Sequence, residues 1–301
     1  MTTKRYATPP AFKQALEKRL QNASTSGTDF ARRRQLLVFD RFLARVTQAL
    51  GDAVTLKGGL VIELRLARAR TTKDVDLRLM GSPERVLDHL QKAGRLDLGE
   101  FMRFEVRVDR LHPDIQGDGM KYDGYRFRAE CRLAGKIYGR PFGVDVAFGD
   151  PLVQEPDVVV ASDVLEFAGI APPTLRIYPV VSHIAEKLHA YTMPRLRPNS
   201  RVKDLPDLAL LGSVGELDAE ILRGALVQTF AFRETHPLPE TLTEPPSFWE
   251  QPYAVMAETD DLRWRTLDEV HSAAAVLLDP VLGGDLVRGT WAPDRWRWCD
   301  G

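Results

Sequence analysis

The sequence predicts an α+β fold: N-terminal helices and a core with a mixed sheet over residues 1–178, then a mainly helical C-terminal domain over residues 179–301. Three observations carry this expectation. Apolar and polar residues alternate along several segments between Val54 and Phe148, which is the period of half-buried strands. A glycine pair, Gly58-Gly59, ends one of these segments and opens a helical pattern. Beyond Pro179 the alternation fades, and Ile, Leu, Ala and Phe recur at helical spacing.

Taken in order, Pro9-Pro10 followed by Phe12, Leu16 and Leu20 predicts a short amphipathic helix. Thr28 is the expected cap of a second helix, whose apolar positions run from Phe30 to Val46. Val54 to Leu56 reads as a strand, Gly58-Gly59 as a turn and Leu60 to Leu66 as a helix. Lys73 to Met80 sets Asp74, Asp76 and Arg78 against Val75, Leu77 and Leu79, so it reads as a strand. Ser82-Pro83 marks a helix start that runs to about Gly94. Phe101 to Asp109, Tyr125 to Leu133 and Lys136 to Phe148 read as successive antiparallel strands. Helices are expected at 180–192, 205–211 and 218–232. Five prolines between His236 and Pro252 predict an irregular loop, followed by a helix at 267–278 and a Trp-rich tail. In that tail, Trp291, Trp296 and Trp298 are expected to pack, not to stack on bases.

Composition narrows the class. A chain of 301 residues with 44% hydrophobic and 28% charged residues is neither disordered nor fibrous. A net charge of −1 means that any nucleic-acid contact comes from a local patch. The two cysteines, Cys131 and Cys299, lie far apart and outside any C-x-x-C pattern, which argues against a disulfide framework or a thiolate zinc site. His183 and His189 stand six apart on one helix, a spacing that does not bring them to one face, so no zinc is expected. The N-terminus lacks an apolar core of secretory length, and no run of about 18 uncharged apolar residues occurs. A cytoplasmic protein with no membrane partner is the expectation.

The chemistry is expected at Asp74 and Asp76. Two apart on a strand, they project from one face, roughly 6–7 Å apart at the backbone, where a metal ion can bridge them. Magnesium prefers hard oxygen ligands, and two ions about 3.5–4 Å apart can activate an attacking hydroxyl and stabilise a leaving pyrophosphate. Asp145, flanked by Val144 and Val146, is the candidate third ligand. By themselves, alternating charges describe a solvated strand face equally well. The neighbouring Lys57-Gly58-Gly59 supplies context, because N–H groups at a helix start beside glycine can cradle a triphosphate.

The run LKGGLVIELRLARARTTKDVDLRL (56–79) resembles the first motif of polymerase-β-type nucleotidyltransferases, and in particular of the AbiEii toxin family. Downstream, Val180 to Ala190 around Lys187 and the R-x-K-D-x-x-D-L run from Arg201 to Leu208 resemble that family's later motifs. The resemblance covers about 54–211. Where the family often carries a small hydroxyl residue after the glycine pair, this chain has Leu60.

The resemblance implies a polymerase-β-like core and transfer of a nucleotide from an NTP, with a two-magnesium site. Its catalytic residues would be Asp74, Asp76, Lys187 and Asp204, and its metal ligands Asp74 and Asp76, to which the strand pattern adds Asp145 as the candidate third. Lys57, Gly58, Gly59, Lys187, Arg201 and Asp207 would bind the NTP. Asp204 can equally cap the helix that starts near Leu205, and Asp207 can pair with Arg201 or Lys203.

The implied acceptor is RNA, above all the 3′ end of tRNA, with CTP or UTP as donor, so that translation stops. A cognate antitoxin encoded nearby, a transcriptional regulator, is implied as partner. Basic clusters at Arg65, Arg68, Arg70 and Lys73, at Arg195, Arg197, Arg201 and Lys203, and at Arg32-Arg33-Arg34 either line a channel for RNA or solvate their helices. Two other readings stand beside this one: nucleotidyl transfer to a protein or small molecule, and a non-catalytic nucleotide- or RNA-binding module, which Leu60 alone favours.

Overall fold

The structure, a computed structural model, describes residues 6–66, 71–81, 84–110, 124–149, 152–195 and 201–299. It opens with α1 (Pro9–Asn22) and α2 (Gly27–Leu50). Thr8 caps α1, with prolines in its first turn, and Phe12, Leu16 and Leu20 face inward. The cap of α2 is Ser26, whose side chain accepts from the Asp29 N–H, and not Thr28. Asp29 in turn accepts from the Thr25 N–H, so the reciprocal bonding at this end centres two residues earlier than expected.

The chain then enters β1 (Val54–Lys57), α3 (Gly59–Arg65) and β2 (Asp74–Leu79). Next come α4 (Val86–Gly94), β3 (Met102–Val108) and β4 (Gly124–Leu133). The helix start expected at Ser82-Pro83 lies outside the described residues; α4 begins after Arg85, which adopts a left-handed φ of 63°. The single strand expected at 136–148 is two, β5 (Lys136–Ile137) and β6 (Phe142–Phe148), because Gly139 turns at φ 74° and Pro141 lacks a ladder N–H. Two further strands, β7 (Asp157–Val160) and β8 (Thr174–Ile177), complete this sheet.

The strand order is β3-β4-β6-β2-β1-β8-β7, with β5 beside β4. The β2/β6 and β1/β8 pairs are parallel and the other pairs antiparallel, so the sheet is mixed as the sequence predicts. Val75, Leu77, Val144 and Val146 face one side of it and are fully buried with Phe39, Phe42 and Leu90 of α2 and α4. Each such side chain contributes about 1.5–3 kcal/mol, and the period of two sends Asp74, Asp76 and Asp145 to the opposite face.

The helical half comprises α5 (Val180–Thr192), α6 (Asp204–Gly212), α7 (Ala219–Arg233), α8 (Glu250–Thr259) and α9 (Leu267–Leu282). The irregular stretch expected to reach Pro252 ends earlier, because Pro252 sits in the first turn of α8, where a missing N–H costs nothing. A small sheet, ordered β11-β10-β9, joins β9 (Leu217–Asp218), β10 (Thr290–Ala292) and β11 (Arg297–Cys299). The three tail tryptophans pack as expected, donating to the carbonyls of Gly212, Ala273 and Leu277. A second core gathers the helices of this half, and Ile62 of α3 reaches into it, while Leu60 and Val61 of the same helix belong to the first. Among the described residues, no helix is long and apolar enough to cross a membrane.

Candidate active site

The carboxylates expected to act together stand on two adjacent parallel strands. Asp74 and Asp76 lie on β2, and the register pairs Asp76 with Asp145 of β6. Directly paired positions project to one face, so these two carboxylates are neighbours there. On the other side of β2, the register pairs Asp76 with Lys57, the last residue of β1. Asp76 accepts no hydrogen bond from the described residues, and burial, then the charge of Asp145, pushes its carboxyl up to about 6. Lys187 and Lys57 act in the opposite direction, which places both ammonium groups within electrostatic reach of Asp76.

Two glycines make room for this arrangement. A Cβ on Gly58 would stand 1.9 Å from Asp76 Oδ2, and Gly58 adopts φ 71°, so glycine is required there both for space and for conformation. A Cβ on Gly143 would meet Asp74 Oδ1 at 2.6 Å; with glycine present, the Gly143 N–H donates to that oxygen at 3.1 Å. Leu60, 1% exposed, points into the first core, so its side chain plays no part in the glycine turn's open side. Gly58→Ala is expected to lower catalytic activity about 100-fold by displacing Asp76 and to cost about 1–3 kcal/mol in urea unfolding. Gly51→Ala is the control: it carries the same backbone strain at φ 55° with nothing within 4 Å, and should lose stability while keeping activity.

The lysines are held by carboxylates of the helical half. Lys57 Nζ lies 3.0 Å from Glu186, which also accepts from the Tyr178 hydroxyl at 2.8 Å and faces Arg233 at 3.4 Å. Burial alone would raise the Glu186 carboxyl, but Lys57 and Arg233 together with these hydrogen bonds hold it down to about 2, so it remains charged. Lys187 Nζ sits between Asp204 and Asp207, 2.8 Å from each. Asp204 therefore does not cap α6: it lies inside the first turn, Lys203 occupies the cap position without a side-chain bond, and the carboxylate turns to Lys187 instead. Arg201, half exposed, reaches Asp204 at 3.7 Å. His183, one turn before Lys187, is fully buried, and burial holds it well below its usual range and neutral.

The structure thus brings together Lys57, Gly58, Asp74, Asp76 and Asp145 on the sheet, and Lys187, Arg201, Asp204 and Asp207 on the helical side. It adds residues the sequence reading did not single out: Glu186, Tyr178 and Arg233 around Lys57, and Arg126 of β4. Arg126 grips Asp145 with two bonds, at 2.7 and 2.6 Å. Its alternation on β4 marked it as facing away from the core, but only the pairing of β4 with β6 puts it opposite Asp145. Glu186 adjoins Lys187 in sequence, yet its partner lies 129 residues away.

Among the described residues, no group of three or more His, Cys, Asp or Glu stands ready to hold a metal ion. Asp74 and Asp76 fit a hard cation by their oxygen donors, with no hydrogen bond from the described residues to Asp76; Asp145 has both oxygens engaged by Arg126. Of the basic clusters, Arg68, Arg70 and Arg197 lie outside the described residues. Arg32 pairs with Glu63, Arg33 with Asp29 of its own helix and Arg34 with Glu17. Arg65 pairs with Asp157 and the Tyr178 carbonyl. Lys73, Arg201 and Lys203 are exposed.

The family model for the nucleotidyl transferase AbiEii toxin, type IV toxin–antitoxin system, matches residues 41–271, wider on both sides than the motifs themselves. MenT4, a nucleotidyltransferase toxin from Mycobacterium tuberculosis H37Rv, shares the fold at a TM-score of 0.55 and 18% identity, covering 95% of this chain and 93% of its own. JHP933 from Helicobacter pylori aligns at a TM-score of 0.46 and 15% identity, over 83% of this chain and 94% of that one. A putative nucleotidyltransferase from H. pylori aligns at 0.44 and 13%, over 84% and 96%. No curated protein matches the chain. With the family model spanning most of its length, the chain belongs to the AbiEii nucleotidyl transferase toxin family of type IV toxin–antitoxin systems.

Proposed function

We propose that this toxin transfers a nucleotide from CTP or UTP, with magnesium, to the 3′ end of tRNA and so blocks translation. The observation that carries the nucleotidyl-transfer reading is the in-register neighbouring of Asp76 and Asp145 beside Asp74, with Gly58 in contact range of Asp76. Asp74 and Asp76 would hold the magnesium, which when bound neutralises triphosphate charge and eases deprotonation of the acceptor hydroxyl. Gly58 and Gly59 leave the backbone open to the triphosphate. Lys57 and Lys187 present positive charge to the same face, each held in place by its carboxylate partners, so little side-chain entropy is left to lose when a phosphate arrives.

The RNA acceptor is supported by the exposed Lys73, Arg201 and Lys203 near the site, by a phosphate backbone's need for such charge, and by what the family resemblance implies. Family membership also implies an antitoxin partner; we take it to be encoded nearby and to be a transcriptional regulator. The test is incubation with labelled CTP or UTP and magnesium in three arms: intact tRNA, tRNA whose 3′-terminal diol has been oxidised with periodate, and a protein mixture. Label on intact tRNA alone is expected. Label on oxidised tRNA, or on protein only, would overturn the assignment of the acceptor.

A further inference from the structure

Strand pairing lines up five charged residues in one row across the sheet. Lys57 of β1 pairs with Asp76 of β2, Asp76 with Asp145 of β6, and Asp145 with Arg126 of β4. Asp109, whose N–H donates to the Arg126 carbonyl at 3.0 Å, follows at the end of β3 and adds its charge to the field at Arg126. The signs run minus, plus, minus, minus, plus from Asp109 to Lys57. The only like-charged neighbours are Asp145 and Asp76, and they differ in what neutralises them. Asp145 gives both oxygens to the planar fork of Arg126, the bidentate geometry that a guanidinium suits best. Asp76 accepts no hydrogen bond from the described residues, and Lys57, its neighbour in the row, is anchored on Glu186.

We infer that Arg126 stands in for a second metal ion: the site takes one divalent cation, at Asp74 and Asp76, and the guanidinium permanently supplies the positive charge that a second ion would bring to Asp145. This rests on reading Asp74 and Asp76 as cation ligands. A second cation at Asp145 would have to displace a two-bond ion pair and would then face the repulsion of a guanidinium left with only the more distant charges of Asp74, itself a ligand of the first ion, and Asp109. Removing the guanidinium while keeping Asp145 should open that second place, because both Asp145 oxygens, now held by Arg126, are then free beside the Asp76 carboxylate.

The probe is Mn2+ added to the purified full chain with a non-hydrolysable CTP analogue, followed by electron paramagnetic resonance. Wild-type protein should saturate at one protein-bound Mn2+ per chain with an uncoupled signal. Arg126→Gln should take up two, with the spin coupling expected of ions about 3.5–4 Å apart. Two coupled ions in wild type would overturn the inference, as would a folded Arg126→Gln that still takes one. If Arg126→Gln fails to fold, the wild-type count decides alone. No uptake by wild type, or uptake unchanged in Asp76→Asn, would overturn the ligand assignment of Asp74 and Asp76 together with the inference, whereas two coupled ions would leave that assignment standing.

Discussion

Asp76→Asn is expected to abolish nucleotidyl transfer, with a loss of about 1,000-fold or more, on the order of 4 kcal/mol of barrier, while making the protein more stable. The two effects have one origin. Burial and the adjacent Asp145 push the Asp76 carboxyl up to about 6, so its charge disfavours the folded state at neutral pH. An acid whose folded pKa is raised stabilises the fold fully only below its ordinary value near 3.8, and that contribution is lost as pH rises through about 6. Asparagine removes the charge with almost no change of shape. Thermal unfolding should therefore show the variant above wild type by about 1–3 kcal/mol at pH 7.5, with the gap closing as pH falls toward 4. A residue that served only the fold would show activity and stability falling together.

Glu100→Gln is expected to have the largest effect on stability, a loss of roughly 3–5 kcal/mol in urea unfolding. Arg41, Arg45 and Glu100 are buried at 2%, 0% and 0% exposure, where α2 meets the start of β3. Arg45 bonds Glu100 and the Met102 carbonyl, and Arg41 lies 3.3 Å from Glu100 and 3.5 Å from Asp40. Glu100 is the main counter-charge of these two guanidinium groups, because burial pushes the neighbouring Asp40 carboxyl up to about 7, so that it carries only part of a charge at neutral pH. Neutralising Glu100 leaves a buried positive charge unmatched, and Phe101 beside it, held at φ 61°, loses part of the frame that keeps it there. This buried cluster lies beside the start of β3, with β4 and β6 between it and the strand of Asp76, so the fraction that remains folded should retain its specific activity.

The legible parts of this molecule were those written in local pattern. The alternation along Lys73 to Met80 gave both a strand and the shared face of Asp74 and Asp76, and the valines around Asp145 gave its direction. Gly58 was legible as a turn, but its tight approach to Asp76 depends on the pairing of β1 with β2, which no local signal encodes. The strands β7 and β8 are four residues each and were passed over, although β8 joins β1 in parallel and its continuation delivers Tyr178 to the site. The helix α8 was hidden by the prolines before it, one of which is its own first turn. Arg126 and Glu186 were out of reach for the same reason as the close approach at Gly58: each is an ordinary charged residue until long-range pairing gives it a partner. Of the two roles open to Asp204, the helix cap is not taken up, because the Lys187 ammonium competes for the carboxylate more strongly than a backbone N–H does.

The most direct test of the account is the transfer of label from α-labelled CTP or UTP to total tRNA in the presence of magnesium, measured for wild type and Asp76→Asn side by side. Label is expected at the tRNA 3′ end with wild type and none above background with the variant. Label that survives the substitution, or its absence from tRNA with fully folded wild type, would contradict it.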